Sequence, residues 1–332
     1  MDKGITLRGI VKRIVCADFS YAETIYDSVK KGPVKRWVLL LPGGGCAWAK
    51  KSGGCYMCGF SRSTRRKIPS AFFLKFAYFL GWRIVKKKSV SNLTIFNGGS
   101  FLNNEEIPLD FQIYIARKVA ENSRLEQLMI ESRPEFVTPE KIQLLQKTLS
   151  GKTLQVGIGL EVQDDRIRNR CVHKGFSRRD YEKTVRFLKE RKARVLTYVF
   201  LKPIYLTEQE AIDEAIRTIK YAFEVGSDTV ALECALVQEG TKLCELYQQG
   251  QYRPPWLWSV LEVVRESYHL GYVHVGRFWD EPPPIDGPRN CDSCTPKALE
   301  LFDHYRQHHD LTVFEGFDCQ CRGVWRASLN KT

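Results

Sequence analysis

Apolar positions along the chain follow two alternating periods. Runs rich in Val, Ile and Leu at 37–41, 93–96, 125–130, 154–160, 195–201 and 229–236 predict strands. Between them, stretches at 71–79, 105–121, 139–149, 179–191, 207–225 and 256–270 place apolar residues at helical spacing. Helix starts are marked as well. Thr138-Pro139-Glu140 sets a cap, a first-turn proline and an acid in series, and Thr207 followed by Glu210 makes a capping-box pattern. Six strand–helix units in series predict an α/β fold with a parallel sheet and right-handed crossovers. Beyond residue 271 the pattern changes to a short strand at 272–277, the run Pro282-Pro283-Pro284 and a cysteine-bearing tail. A curled partial (β/α)6 barrel therefore fits better than a complete eight-unit barrel. The chain divides into an N-terminal extension (1–35), a core (36–270) and a C-terminal extension (271–332).

Glycine-rich, polar or charged stretches follow the strand ends at 42–58, 97–104, 131–135 and 161–174. That is the edge where barrel-like α/β folds gather their sites. The 332 residues suffice for one large core. There is no solenoid repeat, no apolar run long enough to span a bilayer and no basic-then-apolar start. These features predict a soluble, cytoplasmic protein with no membrane partner.

Charge adds a partner class. The formal net charge is +13, and the cations are bunched: Lys30, Lys31, Lys35 and Arg36; Lys50 and Lys51; Arg62, Arg65, Arg66 and Lys67; Arg83 and Lys86 to Lys88; and Arg166, Arg168, Arg170, Lys174, Arg178 and Arg179. Neutralising phosphates is the usual physical use of such groups, so RNA is the favoured partner. A solvated basic surface kept for solubility is the plainer alternative.

The chain has eleven cysteines. In a reducing compartment these suit metal ligation better than disulfides, and the odd total argues against a complete disulfide framework. Cys46, Cys55 and Cys58 share one glycine-rich loop directly after the first predicted strand. Three thiolates can wrap three corners of a cubane cluster and leave one iron without a protein ligand, whereas a structural zinc site wants four. The alternatives are three buried cysteines, or a zinc site completed from elsewhere.

The run Arg36-Trp37 … Gly45-Cys46-Ala47-Trp48-Ala49-Lys50-Lys51-Ser52-Gly53-Gly54-Cys55-Tyr56-Met57-Cys58-Gly59-Phe60 closely resembles the radical S-adenosylmethionine (SAM) subunit family of archaeosine synthase (RaSEA). That family is related to the radical SAM domain of the Elongator catalytic subunit. The C-x8-C-x2-C spacing departs from the commoner C-x3-C-x2-C pattern of radical SAM enzymes and agrees with this branch. Later motifs fall in the family's order. Asn97-Gly98-Gly99-Ser100-Phe101 resembles the glycine motif that meets the SAM amino group, and Glu131-Ser132-Arg133-Pro134-Glu135 resembles its Glu-x-Arg-Pro element. Gly157 to Gln163 resembles the segment contacting the SAM ribose, and Ala235 to Tyr252 resembles the Elongator-type ending of the core.

The resemblance implies a [4Fe-4S] cluster on Cys46, Cys55 and Cys58, with SAM at Met57, Gly98, Gly99, Ser100, Glu131, Glu161 and Gln163, and Glu131 and Arg133 in catalysis. It implies that a 5′-deoxyadenosyl radical drives C–N cleavage of a lysine-adducted 7-deazaguanine in the tRNA D-loop, giving archaeosine. The expected partners are tRNA, the lysine-transferring archaeosine synthase subunit, and an electron donor such as ferredoxin or flavodoxin. Taken singly, Glu131 with Arg133 could be a strand-end salt bridge, and Glu161 and Gln163 could be solvated loop residues. Radical chemistry on another nucleoside or a small metabolite is one alternative; a non-catalytic iron–sulfur RNA-binding subunit is another. Cys171 and Cys234 are candidates for hydrogen-atom donation, against the simpler reading of buried apolar thiols.

Near the C-terminus, Cys291-x2-Cys294 and Cys319-x-Cys321 flank a helical stretch at 296–309. Two close pairs suit a tetrahedral site, with a structural zinc clip as the first reading and an auxiliary iron–sulfur cluster as the second. His304 and His308, four apart, could replace one thiol but suit a helix surface better.

Overall fold

The computed structural model describes residues 19–60, 67–280 and 283–330. Arg62, Arg65 and Arg66 of the basic groups, and Pro282 of the proline run, lie outside them. Eight strands form one sheet in chain order: β1 (Ser20–Asp27), β2 (Gly32–Leu40), β3 (Asn92–Phe96), β4 (Gln127–Glu131), β5 (Thr153–Glu161), β6 (Arg194–Leu201), β7 (Thr229–Cys234) and β8 (Val273–Val275). Every neighbouring pair is parallel except β1 with β2. The α/β partial barrel expected from the periodicity is thus the observed fold. The six predicted strands are β2 to β7, and the short strand after residue 271 is β8.

Strand β1 was not foreseen. Its sequence, SYAETIYD, mixes polar and apolar side chains on both faces, so no clean alternation marks it. It joins β2 through a tight turn in which Asp27 Oδ1 accepts from the amides of Val29 and Lys30.

The helices of the layer outside the sheet are α1 (Ala47–Ser52), α2 (Ala71–Val85), α3 (Leu109–Glu121), α4 (Pro139–Leu149), α5 (Arg178–Glu190), α6 (Glu208–Val225), α7 (Lys242–Gln248), α8 (Leu257–Ser267), α9 (Thr295–His308) and α10 (Cys321–Ser328). The Thr138 side chain caps α4, and Thr207 with Glu210 closes a full capping box on α6, as read from the sequence. Such caps each contribute about 1 kcal/mol. Among the described residues no helix is long and apolar enough to cross a membrane.

The two faces of the sheet differ in chemistry. Outward residues such as Trp37, Leu39, Leu93, Ile95, Leu128, Ile130, Val156 and Ile158 are buried against the helices in one large core. Trp37 sets its ring 5.2 Å from Tyr78 and 5.6 Å from Trp82 of α2. Residues of opposite parity line a lumen whose apolar patch of Met129, Leu196 and Ala231 packs with Phe96 and Tyr198. Register also places Arg36, Val38, Thr94, Gln155 and His274 on this face with Met129 and Ala231, so much of the lumen is polar. A ladder of amides closes its N-terminal end. Arg194 donates to Asp27 and Gln127, and Gln127 donates to Gln155.

No ladder joins β1 to β8. Side chains bridge them instead, with Arg277 on Glu23 at 2.5 Å and Tyr26 against Tyr272 at 4.9 Å. Helix α9 packs across this seam, where Tyr305 donates to the Val273 carbonyl and Arg306 to that of Gly276.

Three of the cations counted as surface charge are interior. Arg168 is 0% exposed and donates to the Val162 and Phe176 carbonyls, Lys174 is paired with Glu161 at 2.6 Å, and Arg36 is paired with Glu23 at 2.7 Å. None is free to meet phosphate. Each satisfies buried acceptors that would otherwise be left bare. Cys171 and Cys234 are buried in apolar clusters.

Candidate functional site

The loop after β2 lies at the C-terminal mouth of the parallel strands. Cys46 directly precedes α1, and Gly53 and Gly54 end that helix at φ +85° and +86°, a left-handed pair that costs glycine little. Cys55 and Cys58 follow at once. Burial pushes both thiols up, Cys58 to about 12, and the neighbouring sulfurs raise them further. Thiols in that state ionise only against a strong local cation, such as a bound metal would supply. Among the described residues, the one set of closely gathered metal-ligand atoms is elsewhere in the chain. Cys46, Cys55 and Cys58 are not part of it.

Two groups hold this loop; the sequence marked the second only as part of the stretch at 161–174 and did not mark the first. Glu106 is 0% exposed and accepts from the Ala47 amide at 2.9 Å, the Ser100 amide at 2.5 Å and Asn103 Nδ2 at 2.9 Å. It thereby ties the residue after Cys46 to the Gly98-Gly99-Ser100 motif. The second group is the segment after a π-helical turn at Arg168–Val172. The Val172 carbonyl accepts from the Tyr56 amide, and the His173 carbonyl accepts from Trp48 Nε1 at 2.7 Å. The His173 ring stacks on Tyr56 at 5.0 Å and 13°. Gly175 passes so close beneath Trp48 that a Cβ there would fall 2.3 Å from the indole.

The sequence-predicted residues separate into two groups. Gly99 lies against Cys46: a Cβ on it would meet the Cys46 Cα at 3.4 Å. Beside it, Asn97 is 1% exposed and both its amide atoms lack a protein partner. Glu131 ends β4 in the lumen, where burial raises it to about 7 while Tyr198 hydrogen-bonds its carboxylate. Glu161 sits at a bulge in β5 with φ +66° and holds Lys174, whose charge is in turn felt by Cys55. Met57 packs at the edge of the apolar cluster containing Ile204 and Leu243.

Arg133 and Gln163 each have side-chain partners within the protein. The Arg133 guanidinium bonds Glu135 and the Lys174 carbonyl, with Trp48 and Phe176 on its faces. Gln163 accepts from Arg178 through its side chain.

Sequence reasoning also passed over Glu233, a lumen residue of β7. Burial pushes its carboxyl up to about 8, with Asp280, Glu161 and Glu131 adding to the rise. Its only available signal was an acid inside an apolar run.

Cys291, Cys294, Cys319 and Cys321 come together, with all four sulfurs within 4.8 Å of one another. Three of the sulfur pairs are at 3.5 Å. Zinc–thiolate bonds of about 2.3 Å place tetrahedral sulfurs about 3.8 Å apart, so the spacing suits one ion and is too tight for a cubane. Trp258 Nε1 donates to the Cys321 sulfur at 3.3 Å, an outer contact typical of a thiolate site. His304 and His308 stack on each other at 4.5 Å and stay outside this set.

No protein-family model matches the chain. It is 29% identical over 308 residues to archaeosine synthase subunit beta of Methanosarcina acetivorans, covering 91% of this chain and 87% of that protein. The chain is similar to archaeosine synthase subunit beta along nearly its whole length. The Thermococcus kodakarensis archaeosine synthase subunit beta is also 29% identical, over 310 residues, with 91% and 94% covered. Among solved structures, archaeal Methanocaldococcus infernus Elp3 with an N-terminal deletion shares the fold, with a TM-score of 0.55 at 19% identity. That match covers 74% of this chain and 60% of the Elp3 chain. The resemblance to the archaeosine synthase subunits therefore holds along most of the sequence, and the likeness to Elp3 is one of fold.

Proposed function

We propose that the chain is a radical SAM enzyme of tRNA modification, of the archaeosine type. The observation that supports it most is the set of three half-buried cysteines, Cys46, Cys55 and Cys58, on the loop at the mouth of a parallel barrel, above a largely polar lumen. Cys46, Cys55 and Cys58 would hold a [4Fe-4S] cluster, leaving one iron for SAM. When bound, the cluster and SAM supply a 5′-deoxyadenosyl radical that drives C–N cleavage of a lysine-adducted 7-deazaguanine in the tRNA D-loop.

The chain's own groups bind, orient and seal this site. Gly98, Gly99 and Ser100 would take the SAM amino group at the loop that Glu106 ties to Cys46. Met57, Glu131, Glu161 and Gln163 are the other SAM-facing assignments, with Glu131 and Arg133 assigned to catalysis. Arg133 would act by holding the Lys174 carbonyl, and hence the loop beside Cys55. Residues 36–270 would be the core unit, although β1 and the start of β2 before it and β8 after it belong to the same sheet; the four cysteines of the stretch at 271–332 would hold zinc. The partners are tRNA, the lysine-transferring subunit and a ferredoxin or flavodoxin, in the cytoplasm.

Anaerobic reconstitution with iron, sulfide, SAM and a strong reductant tests this reading. The wild type should form 5′-deoxyadenosine, and Cys55→Ala should not. A stable cluster that never cleaves SAM would overturn the enzyme reading, and unchanged archaeosine in tRNA from a deletion strain would overturn the substrate.

A further inference from the structure

Helix α2 turns an apolar stripe to solvent. Phe72, Phe76 and Phe79 are 81%, 44% and 50% exposed, and their i, i+4, i+7 spacing puts them on one helical face. Ile68, just before the helix, and Ile84 near its end are also exposed. Scattered apolar residues are ordinary on a surface; a row of phenylalanines on one helix marks an interaction site. Beside the stripe, a groove of about 530 Å³ between α2 and α3 is lined by Tyr78, Phe79, Trp82 and Tyr114, with Lys118 and Arg124 at its rim.

Charge decides what fits. Cations sit over these rings: Arg83 on Phe79 at 5.7 Å, Arg124 on Trp82 at 5.2 Å, and Lys75 and Lys118 on Tyr114 at 5.2 and 5.7 Å. Lys86, Lys87 and Lys88 extend the basic rim past the helix end. The acid lining the groove, Glu121, is already paired with Lys118. A nucleobase stacking here would have to displace the cations from the ring faces. An amphipathic helix could instead lay apolar side chains along the stripe and set its carboxylates on the flanking lysines and arginines.

We infer that the exposed face of α2 and its groove dock an acidic amphipathic helix of a partner protein subunit. The inference rests on the reading above that this chain works beside the lysine-transferring archaeosine synthase subunit. It adds where that subunit holds it and by what chemistry.

The test is binding of the reconstituted full chain to the purified lysine-transferring subunit, by titration calorimetry at several salt concentrations. SAM cleavage is measured on the same samples. Phe72→Glu with Phe79→Glu should weaken the complex by about tenfold or more. Lys75→Glu with Arg83→Glu should weaken it and flatten its salt dependence. Both pairs should leave circular dichroism and 5′-deoxyadenosine formation at wild-type levels, and Phe72→Ser serves as a milder variant.

Undiminished binding by both pairs would overturn the docking site, as would a wild type that forms no complex. So would self-association of the wild type that the same substitutions abolish, which would assign the face to a second copy. Loss of tRNA affinity with partner binding intact would reassign it to RNA. A failure of SAM cleavage in the wild type would strike the proposed function instead, and the binding data would stand apart from it.

Discussion

His173 donates its Nδ1 proton to the carbonyl oxygen of Gly54 at 2.8 Å, joining positions 119 residues apart. The carbonyl can only accept, so the ring's Nδ1 carries the hydrogen. His173 itself sits at φ +60°, the left-handed region that non-glycine residues avoid. A strained residue that grips a glycine-rich cysteine loop points to a positioning role.

His173→Val should remove the bond and add backbone strain, a loss of about 1–3 kcal/mol in local stability. Iron bound per chain after reconstitution should fall and the cluster's electron paramagnetic resonance signal should broaden. His173→Asn tolerates φ +60° and keeps a donor, so it should recover most of the iron. Equal iron in both variants would rule the positioning role out.

Glu106→Gln tests the tie between Cys46 and the glycine motif. The carboxylate accepts from three donors, whereas an amide brings one oxygen and a competing NH2. At least one buried N–H is then left bare, at a cost of about 1–3 kcal/mol. SAM affinity, read by equilibrium dialysis, should drop by about tenfold while far-ultraviolet circular dichroism stays unchanged.

Glu233 makes the fold pH-sensitive. Its carboxyl lies up near 8, against an ordinary 4.5, through burial, then Asp280, Glu161 and Glu131, with Arg36 opposing. A carboxyl raised on folding stabilises fully below its unfolded pKa, and that stability is lost as pH rises through the folded value. The window therefore runs from about 4.5 to about 8. Glu233→Gln should flatten the wild-type decline in thermal midpoint across this window. Above it the variant should melt a few degrees higher, at about 2–4 °C per kcal/mol. A parallel decline in both proteins would show that this carboxyl is not its source.

Cys291→Ala should release one zinc per chain and leave iron content unchanged, measured by plasma mass spectrometry. The thermal midpoint should fall by several degrees, because a structural ion contributes its binding energy to folding. Loss of iron alongside zinc would refute the single-ion assignment.

Much of this was legible in the chain. Strands β2 to β7 announce themselves because their outward faces must be apolar against helices, and the capping motifs at Thr138 and Thr207 are local chemistry that folding does not alter. The cysteine spacings were equally local. Residues whose meaning depends on distant partners were not legible. Lys174 looked like surface charge until Glu161 lay beside it, and Glu106 looked like part of the helix at 105–121 until the amides of Ala47 and Ser100 converged on it. Strand β1 was hidden for a related reason. Glu23 on it pairs with Arg36 inside the lumen, so polarity that usually signals solvent here signals interior.

The seam between β1 and β8 makes the barrel's girth adjustable. No main-chain bond crosses it, so the two edges can separate without unzipping any ladder. The strap across them is α9, whose first turn begins at Cys294 and whose far end packs His309 against Tyr26 and Tyr272. Emptying a metal site at the four C-terminal thiols would therefore loosen a buckle: the lumen should widen on the side of His274.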